Sequence, residues 1–261
     1  MSQDFQHIVY EVNDGVADIT LNRPPLNLID RDITLEYFAA LEMADQDPEV
    51  RVMVLSGSGK GLSAGVNLQW LEQFDAAAMH DFLRLYYVES IQRMRALSKP
   101  VIAQVHGHAR EGGCTLAFGC DIVIASDDAT FGYPGVPNLA APPGMHTWIL
   151  QKLIGRMKAA ELILTGKAIS ARQADDWGLI TRAVPRDRLR DETLALAKEL
   201  AALSPLALKR TRAFMYALED MPFVDVPAAA LEAVSTAFNS ADSREARLAY
   251  NEKRPPIWTG K

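Results

Sequence analysis

Gly112 and Gly113 stand directly ahead of a small-residue, helix-forming run, Cys114-Thr115-Leu116-Ala117-Phe118. They directly follow an apolar stretch, Val101–Val105, and a short loop. A helix start offers unpaired backbone N–H groups and the positive end of the helix dipole. Glycine there lets a ligand oxygen come close to the main chain. The segment can therefore form an anion or oxyanion site built from backbone amides. Tight turning alone is the other reading of these glycines. Side chains able to move protons or give hydrogen bonds lie nearby in sequence: Glu111 just before the pair, then Thr115, Tyr133 and His146. His106 and His108 flank the same loop, but no third ligand cluster accompanies them, so they read as structural and no metal site is expected.

The elements that position these groups follow an α/β pattern. Residues 8–12 alternate apolar and polar, Asn13-Asp14-Gly15 signals a turn, and Val16–Leu21 reads as the returning strand. Leu35, Phe38 and Leu41 sit at helical spacing, and Asp47-Pro48 ends that helix. Residues 50–55 form a short buried strand, followed by the glycine-containing segment 57–67. Phe82, Leu85, Tyr86, Ile91, Met94 and Leu97 predict one long helix stopped at Lys99-Pro100. Strands follow at Val101–Val105 and at 121–125. Strand, glycine loop and helix thus occur twice, which implies parallel strands with loops facing one crevice at their carboxyl ends. After residue 187 the chain turns helical: 189–203, 206–218, 225–238, and a last helix opened by the capping box Asp242-Ser243-Arg244-Glu245 and running to Arg254. The expected division is an α/β core over 1–186 and a helical region over 187–261. The helices are expected to pack on that core or on another subunit.

The formal net charge of −6 argues against a general nucleic-acid binder, which needs a basic face. The longest span free of Asp, Glu, Lys and Arg, residues 129–151, contains Pro134, Pro137, Pro142 and Pro143 and cannot be a membrane helix. Cys114 and Cys120, six apart on a predicted helix, face different ways and read as reduced thiols packed in a core. Asp4, Glu11 and Asp14 leave no secretory signal near the start, so a cytoplasmic protein is expected.

Several segments, in order and spacing, resemble the crotonase superfamily, also called enoyl-CoA hydratase/isomerase. They include Ile19-Thr-Leu-Asn-Arg-Pro24, Gly59-Lys-Gly-Leu-Ser-Ala-Gly-Val-Asn-Leu68, Gly112-Gly-Cys114, Cys120-Asp-Ile-Val-Ile-Ala125 and Trp177-Gly-Leu-Ile180. The resemblance implies a spiral of β-β-α turns with C-terminal helices that assemble homotrimers, often paired into hexamers. It implies a coenzyme A thioester as substrate, with no other cofactor. Two backbone amides that hold the thioester oxygen fall by position on Val66 and Gly112. Lys60, Leu62 and Ala64 fall where the family's loop wraps the adenine and phosphate end of coenzyme A, and Lys253 is a candidate for a coenzyme phosphate. Removing a proton or carboxylate next to a thioester puts negative charge on the carbonyl oxygen, and losing one of two fixed donors there costs about 3 kcal/mol of barrier stabilisation.

The chain also departs from the family. The two glutamates that hold and activate water in family hydratases fall on Thr115 and Gly135. A hydration needs a base and an acid, and threonine supplies neither at neutral pH. The two-glutamate hydratase mechanism is disfavoured by Thr115 and the one-glutamate isomerase mechanism by Gly135. Replacement groups are Glu111, where the family has glycine, His146 as a loop imidazole acid or base, and Tyr133 as a hydrogen-bond donor. The remaining readings are an atypical hydratase or lyase, a decarboxylase, a hydrolase, or a catalytically silent acyl-CoA-binding or scaffold subunit.

Overall fold

A computed structural model of the chain describes residues 5–141 and 144–261. Among the described residues the first half runs β1 (Ile8–Asn13), β2 (Val16–Leu21), α1 (Arg31–Gln46), β3 (Val52–Gly57), β4 (Gly61–Ser63), α2 (Leu68–Leu71), α3 (Ala76–Leu83), a π-helical stretch (Arg84–Glu89) and α4 (Ser90–Ala96). Next come β5 (Val101–Val105), β6 (His108–Arg110), α5 (Gly112–Gly119), β7 (Ile122–Ser126), β8 (Thr130–Gly132), α6 (Gly135–Leu139) and α7 (His146–Thr165). The chain ends with β9 (Ile169–Ser170), α8 (Ala171–Asp176), β10 (Arg182–Val184), α9 (Leu189–Ala201), α10 (Pro205–Leu218), α11 (Val226–Phe238) and α12 (Ala241–Glu252).

The Asn13-Asp14-Gly15 turn closes the predicted hairpin, with Asn13 opposite Val16. Asp14 and Gly15 both take positive φ, 51° and 77°, which gives a two-residue turn the twist of the strands it joins. The sheet continues in the order β1-β2-β3-β5-β7-β10, parallel from β2 onward. Its central strands are buried on both faces, as parallel strands between helical layers must be. Alternation along β3 sends Met53 and Leu55 into the main core with Ile19, Phe38 and Leu41. Val52 and Val54 go to the other face, where Val16, Ile102 and Ile124 meet Leu189 and Ala197 of α9. The first helix of the C-terminal region therefore covers one face of the large sheet.

A second sheet, β4-β6-β8-β9, has parallel β4, β6 and β8. The apolar pattern predicts none of these three-residue strands, yet their carboxyl ends lead straight into residues 64–66, 111–112 and 133–135. The predicted long helix is split: α3 and α4 are joined by the π-helical stretch, which carries Tyr86 and Tyr87. The predicted capping box is displaced. Ser240, not Asp242, caps α12 by accepting from the Ser243 amide at 3.0 Å. Asp242 is buried and instead accepts from Ser204 Oγ at 2.6 Å and from the Thr259 and Gly260 amides, tying the chain end to α10 and α12.

Arg212 fastens α10 to the core. Its Nε donates to Asp121 Oδ2 at 2.8 Å, Nη1 donates to the Leu97 and Arg95 carbonyls, and Nη2 donates to the Met94 carbonyl. One buried guanidinium thus serves the orphan carbonyls at the end of α4. Tyr216 adds a hydrogen bond to the other Asp121 oxygen at 2.8 Å. Both cysteines are free and buried. Among the described residues no helix is long and apolar enough to cross a membrane.

Candidate active site

The Val66 segment is set by a chain of polar contacts beginning at Asn27. Buried Asn27 donates from Nδ2 to the Ser58, Gly61 and Leu62 carbonyls at 2.8, 3.1 and 3.1 Å. Its own carbonyl accepts from Ser63 Oγ at 2.7 Å, and that oxygen accepts from the Gly65 amide at 3.1 Å. Ile29 and Val66 then form a parallel bridge: the Ile29 amide donates to Gly65 and the Asn67 amide donates to Ile29. This pattern uses the groups on either side of Val66 and leaves the Val66 N–H with no acceptor among the described residues. The Gly112 N–H opens α5 and is likewise without an acceptor there. The two segments touch. A Cβ added at Gly65 would lie 3.0 Å from the Arg110 oxygen and 3.3 Å from Glu111 Cβ. Tyr86 Oη donates to the Gly112 carbonyl at 2.6 Å and holds the first turn of α5 in place.

Packing is a further reason for glycine at position 112: a Cβ there would lie 2.9 Å from Tyr86 Cε1 and 3.0 Å from Ile29 Cδ1. At Gly113 the added atom would lie 2.4 Å from the Ser63 oxygen, which lets α5 rest on β4.

Glu111 sits at φ 43°, ψ −109°, a conformation suited to glycine and strained for any side chain. Its amide donates to the Gly132 carbonyl at 3.0 Å, which fixes the turn. Its Oε1 is buried with no hydrogen-bond partner among the described residues. Arg110 does not pair with it but donates to Thr130 Oγ1 at 2.9 Å. A Cβ added at Gly135 would stand 2.8 Å from Glu111 Oε1. The carboxylate therefore fills the space beside position 135, although it arrives from another loop. Burial raises the Glu111 pKa, partly offset by the Gly135 amide facing the carboxylate.

Thr115 Oγ1 and His146 Nε2 are 2.8 Å apart and both are buried. His146 is not a loop residue. It opens α7, is 1% exposed, and has the Tyr133 ring at 4.3 Å and the Tyr87 ring edge-on at 5.5 Å. Burial pushes its pKa down to about 3, so the imidazole is neutral at pH 7 and is a poor general base. Such burial argues against the expected acid–base imidazole tuned near neutrality. Tyr133 is fully buried, its hydroxyl without a hydrogen-bond partner among the described residues. Burial raises its pKa well above the ordinary value, with the adjacent Cys114 thiol and then Glu111 adding to the effect. Burial, and then Glu111, raise the Tyr87 pKa as well.

The coenzyme candidates are placed unevenly. Lys60 is exposed in the loop between β3 and β4, and Ala64 is half-buried just beyond β4. The Leu62 side chain is fully buried, so position 62 can meet a ligand only through its main chain. Lys253 is exposed at the end of α12. Sequence reasoning missed Asn27 and Ser63, which shape the Val66 segment, and Tyr86 and Tyr87. For Asn27, the turn signal of an asparagine just after Pro24-Pro25 was available, and it takes φ 49°. Tyr86 read only as part of a helical core stripe, and Tyr87 was not singled out.

Comparisons with known proteins bear on the fold and the family. The enoyl-CoA hydratase/isomerase family model matches residues 11–261. The probable enoyl-CoA hydratase echA8 of Mycobacterium bovis is 33% identical over 262 residues, covering 98% of this chain and 98% of that protein. The carnitinyl-CoA dehydratase of Citrobacter koseri is 31% identical, covering 94% and 95%. The crystal structure of an enoyl-CoA hydratase from Bacillus anthracis superposes with a TM-score of 0.93 at 27% identity, covering 98% of this chain and all of that one. This chain has the crotonase fold and belongs to the enoyl-CoA hydratase/isomerase family.

Proposed function

We propose that this protein is an enzyme acting on an acyl-CoA thioester, and that it moves a proton at the carbon next to the thioester carbonyl. The Val66 and Gly112 amides donate to the carbonyl oxygen as it becomes an enolate. Glu111 takes the proton from carbon as the electron pair moves onto that oxygen, then returns it as the carboxylic acid. Where the acyl chain carries a double bond, return at a different carbon shifts the bond, which is an isomerisation.

The observation that carries this reading is the buried Glu111 Oε1 beside Gly135, without a partner among the described residues, next to two amides on touching segments that have no acceptor among those residues. Read from sequence position alone, Gly135 disfavours a one-carboxylate mechanism. In space, residue 111 supplies the carboxylate there. A carboxylate with a raised pKa suits a group that must both take and give a proton.

Coenzyme A enters as part of the substrate, its adenine and phosphate end lying along 60–64. The apolar side chains left exposed on and around α11, Phe223, Val224, Leu231, Val234 and Phe238, support a homotrimer or hexamer. A soluble cytoplasmic setting fits the absence of any spanning helix among the described residues.

The test is hydrogen exchange at the α-carbon of butyryl-CoA in deuterated water, followed by NMR. Exchange by the native protein, lost by roughly 100-fold or more in Glu111→Gln, supports the reading. Tight binding of butyryl-CoA with no exchange would instead establish the silent acyl-CoA-binding subunit.

A further inference from the structure

We infer that Thr115 and His146 form a dry closure over one side of the site, and that this closure determines specificity: it bars water from the acyl chain. The inference rests on the thioester reading above. A hydration adds a water oxygen to the β-carbon and a proton to the α-carbon, so it requires an ordered water between polar groups on that side. Here the space is taken. Thr115 and His146 satisfy each other at 2.8 Å, with exposures of 3% and 1%. The imidazole is walled by Tyr87 and Tyr133. Tyr87 in turn meets Tyr86 at 4.9 Å, and Tyr86 meets Phe82 at 6.0 Å, so aromatic packing continues outward from the pair.

A buried water needs two to four polar partners and room for itself. The pair engages the Thr115 hydroxyl and His146 Nε2 with each other, two groups on this side that would otherwise hold one. It also cannot stand in for a carboxylate. Threonine does not take a proton at neutral pH, and the imidazole is held neutral in an apolar cage. Water addition is thereby disfavoured at two levels, by lost space and by the lack of a second acid–base group. Proton transfer through Glu111 alone needs neither.

The test compares two rates on the native protein: α-proton exchange of butyryl-CoA and hydration of crotonyl-CoA. The closure predicts hydration slower than exchange by roughly 100-fold or more. Comparable rates would overturn the closure and leave the proton-transfer reading standing. Absence of exchange would overturn that reading. The closure is then still judged by NMR of the His146 side-chain nitrogens between pH 5 and 8: no titration supports a dry pair, and titration near 6.5 refutes it. In the double variant Thr115→Glu, His146→Gly, which restores a carboxylate and opens room, hydration of crotonyl-CoA is expected to rise by roughly tenfold or more over the native rate.

Discussion

Replacing Glu111 by glycine is expected to make the protein more stable while removing its activity. The backbone at φ 43°, ψ −109° strains any side-chain-bearing residue by about 1–3 kcal/mol. The buried Oε1 without a partner costs about 1–3 kcal/mol more. Glycine relieves both and brings a penalty of about 0.5–1 kcal/mol through the freer unfolded chain. Some packing of the side-chain methylenes is also lost. The net expectation is a gain of about 1–2 kcal/mol, or about 2–4 °C in Tm for a chain of this length. Two companions separate the terms. Glu111→Ala removes the carboxylate but keeps the strained φ, so it should be less stable than the glycine variant by about 1 kcal/mol. Glu111→Gln keeps shape and strain and removes only the proton carrier. Thermal unfolding of the four proteins, alongside α-proton exchange of butyryl-CoA, is the assay. If the glycine variant melts at or below the native protein, or keeps the native exchange rate, the reasoning on residue 111 is wrong.

Other consequences follow from neighbouring features. Arg212→Ala strips a buried cation from Asp121 and from three helix-end carbonyls, so a loss of about 3–5 kcal/mol in urea unfolding is expected, with early amide exchange in α10. His146 has a depressed pKa of about 3 against 6.5 when unfolded, so its contribution is full above pH 6.5 and falls as the pH drops toward 3. The limiting slope is about 1.4 kcal/mol per pH unit. Denaturant unfolding from pH 7 to 4 should show this loss in the native protein and not in His146→Asn. Gly112→Ala forces a methyl against Tyr86 and Ile29, so a drop of about 1–3 kcal/mol is expected in its thermal unfolding. A normal Tm with impaired turnover would make ligand approach, not packing, the reason for glycine at 112.

Much of the frame was legible because long or strongly patterned segments announce themselves. The Asp14-Gly15 turn fixed the hairpin register, and the apolar runs at β3, β5 and β7 gave the parallel sheet. The strands that set the site were not legible. Gly61–Ser63, His108–Arg110 and Thr130–Gly132 are too short for a period-two pattern to stand out. The Ser240 cap lay one turn-signal earlier than the box at Asp242, which the tertiary clamp on Ser204 and Gly260 claims.

The site divides in the same way. The main-chain candidates Val66 and Gly112 came from family resemblance and glycine chemistry. The meeting of Thr115 with His146, 31 residues apart, depends on how α7 enters the core and has no local signal. The delivery of the Glu111 carboxylate beside Gly135 depends on a strained turn, and propensity alone would assign that turn to glycine. These are the places where sequence rules and structure part.

The claim on which the rest depends is that two backbone amides polarise one thioester carbonyl. Infrared difference spectroscopy of butyryl-CoA labelled with carbon-13 at that carbonyl tests it directly. A stretch shifted below its position in water on binding, and equally shifted in Glu111→Gln, is the predicted result. A bound carbonyl absorbing at or above its aqueous position would contradict it.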